Sequence, residues 1–408
     1  MLRSYWLLVS ALLFIASLIL HQIPLFLISL LLFLAGSVAR LWDRYCLSQV
    51  EYKRRLSAHR VFFGEEVQLE VEISNKKPLP LPWIQIDDEI PDGVLLLKGK
   101  TSPSHLIKRV ILTNLLSLSW YHKVIRRYPI SCQQRGVYTF GPARMRSGDI
   151  FGFFTREEEV TPLDRLIVYP KLVPVEKLGI PSLQPLGDIR TRSHIFQDPI
   201  LTMGIRDYYS GDSLRRIHWK TTARLGRLQT KIFEPTTTVD LSIFLDVRTV
   251  VPPLWGSVPE LLELAVTTAA SLAKHTLDEG YRVGMYANQN MAFSEGLIRI
   301  PPSQHGDQLQ RILEALAQVH SSETLPIARL IGIESRSLPW GSTLLVVSAT
   351  PTDSLLSVLS QMKRVGRKVA LILVGGSDSA VSTDGLMVYH VRNDIIWRDM
   401  DKLSISRK

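Results

Sequence analysis

Cysteine is nearly absent: Cys46 and Cys132 are the only two in 408 residues. A disulfide framework is thereby excluded, and two thiols so far apart in sequence offer no zinc-ligand spacing. The chain fits a reducing compartment. No Gly-x-x-x-x-Gly-Lys-Ser/Thr loop occurs, so nothing supports nucleotide hydrolysis by a P-loop. No Gly-x-Ser-x-Gly nucleophile elbow occurs either. Acidic residues are in deficit, with 38 Asp and Glu against 48 Lys and Arg and a net charge of +10. That balance favours anionic partners: inner-leaflet lipid, nucleic acid or an acidic protein face. With 46% hydrophobic residues, global disorder is excluded.

Charge is missing altogether from Tyr5–Leu20 and Leu25–Ala39. Extended to Ile23 and Trp42, each run approaches the roughly 17–20 residues a spanning helix needs. His21-Gln22-Ile23-Pro24 separates them, and Pro24 suits the first turn of a helix. Residues 1–45 therefore read as a transmembrane helical hairpin. Its loop carries no Lys or Arg, whereas Arg3 precedes it and Arg40, Arg44, Lys53, Arg54 and Arg55 follow it. The positive-inside rule puts both ends in the cytoplasm, which makes the chain a multi-pass cell-membrane protein with cytoplasmic soluble domains. Lys53-Arg54-Arg55 reads as a contact for anionic headgroups.

Residues 57–160 change to period two. Val67, Leu69, Val71 and Ile73 alternate with Gln68, Glu70 and Glu72, as on a half-buried strand. Further strands are expected at Ile84–Ile86, Ile107–Leu112, Val124–Ile130 and Gly136–Phe140, with turns at Pro91-Asp92-Gly93 and Gly141-Pro142. The pattern predicts an antiparallel β-sandwich. Cys132 and His122 lack a third orienting group and read as packing residues rather than a thiol nucleophile. Residues 161–203, with Pro162, Pro170, Pro174, Pro181 and Pro185, read as an extended connector.

Residues 236–408 alternate strand and helix. Strands are expected at Val239–Leu245, Arg282–Ala287, Thr343–Ser348, Lys368–Val374 and Leu386–Val391. Helices are expected from Ser257, with a Ser257/Glu260 capping box, to Gly280, over His305–Val319, and from Thr350-Pro351 to Gly366. This is a doubly wound α/β domain on a mainly parallel sheet. Its working edge, beyond the carboxyl ends of the strands, offers Asp246, Asn288, Ser348 and Asp353. Gly375-Gly376-Ser377-Asp378-Ser379 reads as a surface loop.

Between connector and α/β domain lies 204–234, with seven Lys and Arg against three Asp and Glu. Asp212 or Ser213 reads as the N-cap of a helix that Gly226 ends. Gly211, Asp212, Arg215, Ile217, His218, Trp219, Lys220, Ala223 and Arg224, followed by Phe233 and Glu234, resemble the signature of the domain-of-unknown-function 58 family. More loosely, the resemblance runs from about residue 57 to the C-terminus and includes Arg135–Pro142 and Asp149–Gly152. It implies a membrane-tethered protein with a von Willebrand factor type A-like domain, paired with a MoxR-type AAA+ ATPase, and it implies no established activity. Metal-binding type A domains carry Asp-x-Ser-x-Ser after the first strand, whose hard oxygens suit Mg²⁺. This chain reads Asp246-Val247-Arg248-Thr249-Val250, so both serines are lost and a cation stands in one place. Asp246 and Asp353 remain weak metal candidates, and no cofactor is expected.

The expected function is a non-enzymatic membrane scaffold or adaptor that binds protein. It is expected to bind through a degenerate type A domain, while Gly211, Asp212, Arg215, His218, Trp219, Lys220 and Arg224 form the signature and interaction segment, read as a clamp that holds the β domain to the type A-like domain with Trp219 buried. The rival is an anionic-polymer or nucleic-acid binder that uses residues 206–231, where Tyr208, Tyr209 and Trp219 interleave with cations. Nucleic acid is the less expected partner, because no recognised module is present.

Overall fold

A computed structural model describes residues 2–20, 22–149, 154–175, 197–209, 212, 217–235, 240–250, 256–291, 296–339, 342–375, 385–391, 397–403 and 405–407. The chain divides into two compact units, residues 1–171 with 316–318, and residues 172–315 with 319–408.

The first unit begins with two apolar helices, α1 (Leu2–Ile19) and α2 (Ile23–Tyr45), and Pro24 sits in the first turn of α2. Near their junction Phe14 lies 5.4 Å from Phe26 and 6.1 Å from Phe33, ring centre to ring centre, and the hydroxyls of Ser17 and Ser29 are 3.2 Å apart. Among the described residues one helix, α2, is long and apolar enough to cross a membrane. The expectation of two spans therefore comes down to one candidate.

Residues 46–49 alone separate α2 from the first strand, and Cys46 and Leu47 are already buried in the β core. The strands are β1 (Val50–Leu56), β2 (Arg60–Phe62), β3 (Glu66–Asn75), β4 (Leu81–Pro91), β5 (Leu95–Leu96) and β6 (Thr101–Pro103). They continue with β7 (Arg109–Leu118), β8 (Lys123–Ser131), β9 (Gly136–Phe140), β10 (Ala143–Gly148), β11 (Thr155–Val160) and β12 (Asp164–Tyr169). They form sheets ordered β1-β3-β8-β5, β11-β10-β4-β7-β6 and β2-β12-β9. Among the described residues all pairings are antiparallel except β2 with β12. One apolar core joins the alternating Val67, Leu69, Val71 and Ile73 of β3 to Ile84, Ile86 and Ile90 of β4.

Two strands lie outside the expected limits of 57–160. β1 was hidden by its charges, and β12 by the prolines around it. On β1 the basic run Lys53-Arg54-Arg55 obeys strand periodicity, so its middle member points inward. Arg54 is buried and donates from Nη1 to Asp88 Oδ1 (2.7 Å), from Nε to Asp164 Oδ2 (2.9 Å) and from Nη2 to the Pro162 carbonyl (2.8 Å). Tyr52 donates to the other Asp88 oxygen at 2.6 Å. Gly141 has φ +88°, and a Cβ there would stand 2.7 Å from Arg54 Nη2, so the guanidinium needs a glycine beside it. The headgroup reading of Arg54 is thus corrected: its charge is consumed inside the unit.

The second unit contains β13 (Gln197–Asp207), α3 (Trp219–Leu225), β14 (Gln229–Pro235), β15 (Asp240–Leu245), α4 (Pro259–Asp278) and β16 (Arg282–Asn290). It goes on through β17 (Leu297–Ser303), α5 (Gln308–Ala317), α6 (Ile327–Glu334), β18 (Thr343–Ser348) and α7 (Asp353–Arg364), then β19 (Lys368–Val374), β20 (Met387–Val391) and β21 (Ile405–Arg407). Residues 161–203 are less a connector than expected, since they include β12 and most of β13; residues 176–196 lie outside those described.

The main sheet runs β17-β16-β15-β18-β19-β20-β21, parallel except for its two edge strands. Its strands β15 to β20 thus take the order 3-2-1-4-5-6 of a doubly wound sheet, with an antiparallel third strand. Ile327, Leu330 and Ile331 of α6 and Leu355 and Leu359 of α7 pack with Phe244, Leu344, Val346 and Leu371 on one face. α4 packs along β15, β16, β18 and β19. The expected capping box of α4 does not form. Val258 is its N-cap without a side-chain bond, and Pro259, which has no N–H to satisfy, opens the helix.

Candidate functional site

The strand order of the main sheet reverses between β15 and β18, the switch point at which such sheets bind ligands. Asp246 follows β15 and Ser348 ends β18, so the residues flagged in sequence meet there. Asp246 is buried and accepts from Ser348 Oγ at 2.9 Å, Asn288 Nδ2 at 3.0 Å and the Arg248 N–H at 3.2 Å. Burial pushes its carboxyl above the ordinary value, against the lowering pull of those donors and of the Arg248 charge. Asn288 is fully used: its Oδ1 accepts from the Val247 N–H at 2.9 Å and its carbonyl from the Thr324 N–H at 2.8 Å.

Arg248 is partly buried. Its guanidinium pairs with Glu323 at 3.6 Å, and its carbonyl accepts from Thr350 Oγ1 at 3.4 Å. The Thr249 hydroxyl accepts from the Val258 N–H at 2.9 Å, just ahead of α4. Asp353 opens α7 and is exposed, and it is not among the partners of Asp246. Among the described residues no group of three His, Cys, Asp or Glu is placed to hold a metal ion. Ser348 has Asp246 beside it but no histidine, and both are sealed from solvent. Sequence reading missed Glu323, which lies on a loop with no motif around it, and read Thr350 only as the start of a helix.

In the β unit, Cys132 is fully buried, and burial raises its thiol to about 11, the opposite of an activated nucleophile. The Asp149–Gly152 stretch and the Gly375–Ser379 loop fall mostly outside the described residues.

The signature segment is a ribbon with a helix set on it. β13 and β14 pair antiparallel, with Gly204 opposite Ile232 and Asp207 opposite Gln229. Asp212 is not the expected N-cap. Both its oxygens receive Arg206 at 2.8 Å, and Oδ2 also accepts from the Tyr209 N–H at 3.1 Å. Arg206 holds its carboxyl below the usual carboxylate value. The N-cap of α3 is His218, whose Nδ1 accepts from the Thr221 N–H at 3.1 Å, which assigns the ring proton to Nε2 when neutral. Gly226, at φ +69°, ends the helix as expected. Gly211 and Arg215 lie outside the described residues.

No residue of α3 is buried. Trp219 is 67% exposed, which corrects the expectation that it packs inside. The helix is seven residues long and lies beside the two-stranded ribbon with its indole turned to solvent. Trp219, Lys220, Arg224, Leu225, Arg227 and Leu228 are all exposed, and the Arg206 guanidinium lies 5.2 Å from the ring centre of Tyr209, itself 68% exposed.

The class this geometry defines is an apolar-helix and β-sheet unit followed by a doubly wound α/β unit that carries a basic, aromatic ribbon. The model of the family described as "Protein of unknown function DUF58" matches residues 204–388, from the ribbon into β20. The chain is also similar to "Uncharacterized protein YeaD" of Bacillus subtilis (strain 168), 26% identical over 288 residues. That match covers 70% of this chain and 66% of the relative, so the chain spans just under two thirds of it. Among solved structures, an aerotolerance-related membrane protein from Bacteroides fragilis overlaps at a TM-score of 0.23 and 18% identity, covering 33% of this chain and 67% of that one. The CARDB domain of a Pyrococcus furiosus protein overlaps at 0.20 and 13% identity, covering 29% and 90%.

Proposed function

We propose that the chain is a membrane-anchored scaffold or adaptor, not an enzyme, that binds protein partners and works with a MoxR-type AAA+ ATPase. One contrast carries this reading. Asp246, Asn288 and Ser348 at the switch point are consumed by one another and by nearby backbone, while the ribbon and α3 leave large aromatic and cationic side chains in solvent. Exposed Trp, Tyr and Arg are the residue types that carry binding energy at protein interfaces. The antiparallel third strand in a 3-2-1-4-5-6 order supports a von Willebrand factor type A-like reading of the second unit. Arg248, where a metal-binding version keeps a serine, supports a metal-independent one. The charge-free turn between α1 and α2, with cations beyond both ends, supports a membrane hairpin whose soluble part faces the cytoplasm.

The test is purification of the full chain from solubilised membranes with and without ATP. A nucleotide-dependent ATPase in the eluate, lost with Trp219→Ala, is the expected result. An eluate without an ATPase under either condition removes that partner. The second reading, an anionic-polymer binder using residues 206–231, draws on the stacking of Arg206 over Tyr209 beside exposed Lys220, Arg224 and Arg227. It requires salt-dependent binding of a single-stranded oligonucleotide that Arg224→Ala weakens.

A further inference from the structure

Where α2 meets the β unit there is a groove of about 490 Å³, within the roughly 300–1,000 Å³ range of small-molecule sites. One wall is a single face of α2, Val38, Leu41, Trp42 and Tyr45, at spacings of three and four residues. The other is the turn between β3 and β4, which carries Lys77. Leu27, Leu31 and Leu34 continue the same face back along α2, and all three are exposed, as are Val38, Leu41 and Tyr45. The apolar stripe of the candidate span therefore runs without a break into the groove.

Two polar groups in this groove lack the partner their burial calls for. Lys77 is 4% exposed, and its ammonium donates to the carbonyls of Cys46 (2.5 Å) and Ser48 (2.8 Å), both neutral. Among the described residues no carboxylate pairs with it, whereas its neighbour Lys76 is paired with Glu51. Burial lowers the Lys77 ammonium to about 8, as an uncompensated cation requires. The indole N–H of Trp42 is buried with no acceptor among the described residues. An apolar trough whose lining includes a buried cation and an unpaired N–H donor matches a molecule with a hydrocarbon tail and an anionic head.

We propose that this groove holds one anionic phospholipid, its acyl chain against Val38, Leu41 and Tyr45 and its phosphate within reach of Lys77 and the Trp42 N–H. The site rests on α2 crossing the bilayer. Trp and Tyr at the end of a span belong at the headgroup level, and the cytoplasmic leaflet supplies anionic lipid.

The test keeps the full chain. Membranes are first extracted with alkaline carbonate; release of the chain overturns the anchor and the lipid site together. Retained chain is solubilised in mild detergent, exposed to equal phosphatidylglycerol and phosphatidylcholine vesicles, washed, and examined by native mass spectrometry. The expected result is one phosphatidylglycerol per chain, preferred by about tenfold or more over phosphatidylcholine. Lys77→Gln removes the preference. Leu41→Trp, at a side chain 63% exposed and so outside the packing, fills the groove and removes bound lipid of both kinds. Should Lys77→Gln fail to fold, the wild-type preference and Leu41→Trp still decide. Membrane-retained chain that holds no lipid, or holds both kinds equally, or is unchanged by Leu41→Trp, overturns the site and leaves the anchor standing.

Discussion

Arg54 shows why single residues were the hardest scale to read. In sequence it is the middle of three cations. In the fold it bonds Asp88 and Asp164, 34 and 110 residues away, and no local pattern announces such partners. Arg54→Ala leaves a buried carboxylate without its counter-ion and is expected to destabilise by about 3–5 kcal/mol in denaturant unfolding. Asp88 also ties stability to pH. Burial raises its carboxyl from 3.8 to about 6. The folded chain then holds a proton that the unfolded chain releases, so this contribution is complete below 3.8 and is lost as pH rises through about 6. Asp88→Asn should therefore flatten that fall when denaturant midpoints are compared across the interval. At the switch point Asp246, Asn288 and Ser348 were legible, because strand ends follow from apolar runs. Glu323 was not, since a loop glutamate carries no period. With Arg248 paired to Glu323 there, Mg²⁺ is expected to leave the thermal midpoint unchanged. A real site at 100-fold its dissociation constant would add about 2.7 kcal/mol, and a saturable, chelator-reversed shift would show it.

At the scale of elements, the buried strands announced themselves. Thr343–Ser348 and Lys368–Val374 emerge with the limits expected of them, because continuous apolar runs have one place to go. Polar elements did not. β1 is disguised by Lys53, Arg54 and Arg55, and the helix in the signature segment starts at Trp219 rather than near Asp212, because Arg206 takes that carboxylate for the ribbon. α3 separates two kinds of importance. Trp219→Ala is expected to change stability by no more than about 0.5 kcal/mol, as exposed positions do, while abolishing partner capture. Gly226→Ala has open space for its Cβ, so its cost is the left-handed backbone alone, roughly 1–2 kcal/mol by thermal unfolding. Equal losses of stability from both substitutions would return Trp219 to a packing role.

For the whole molecule, the order of parts was readable because each has its own period: none in the apolar helices, two in the β unit, and alternating runs in the α/β unit. The proposed orientation rests on charge rather than on fold. Reporter fusions at Gln22 are expected to be active outside and fusions at Lys408 inside; a C-terminal fusion active outside would remove both the orientation and the ATPase partner. Residues 46–49 bear on how the protein works at a surface. A flexible leash of n residues lets its load wander about 5–6 Å × √n. Here half of those few residues are already fixed in the β core, so there is no slack. Where α2 crosses a bilayer, the β unit rides at a set height above the lipid, and a change in bilayer thickness or helix tilt reaches β1 as displacement instead of being absorbed by a tether.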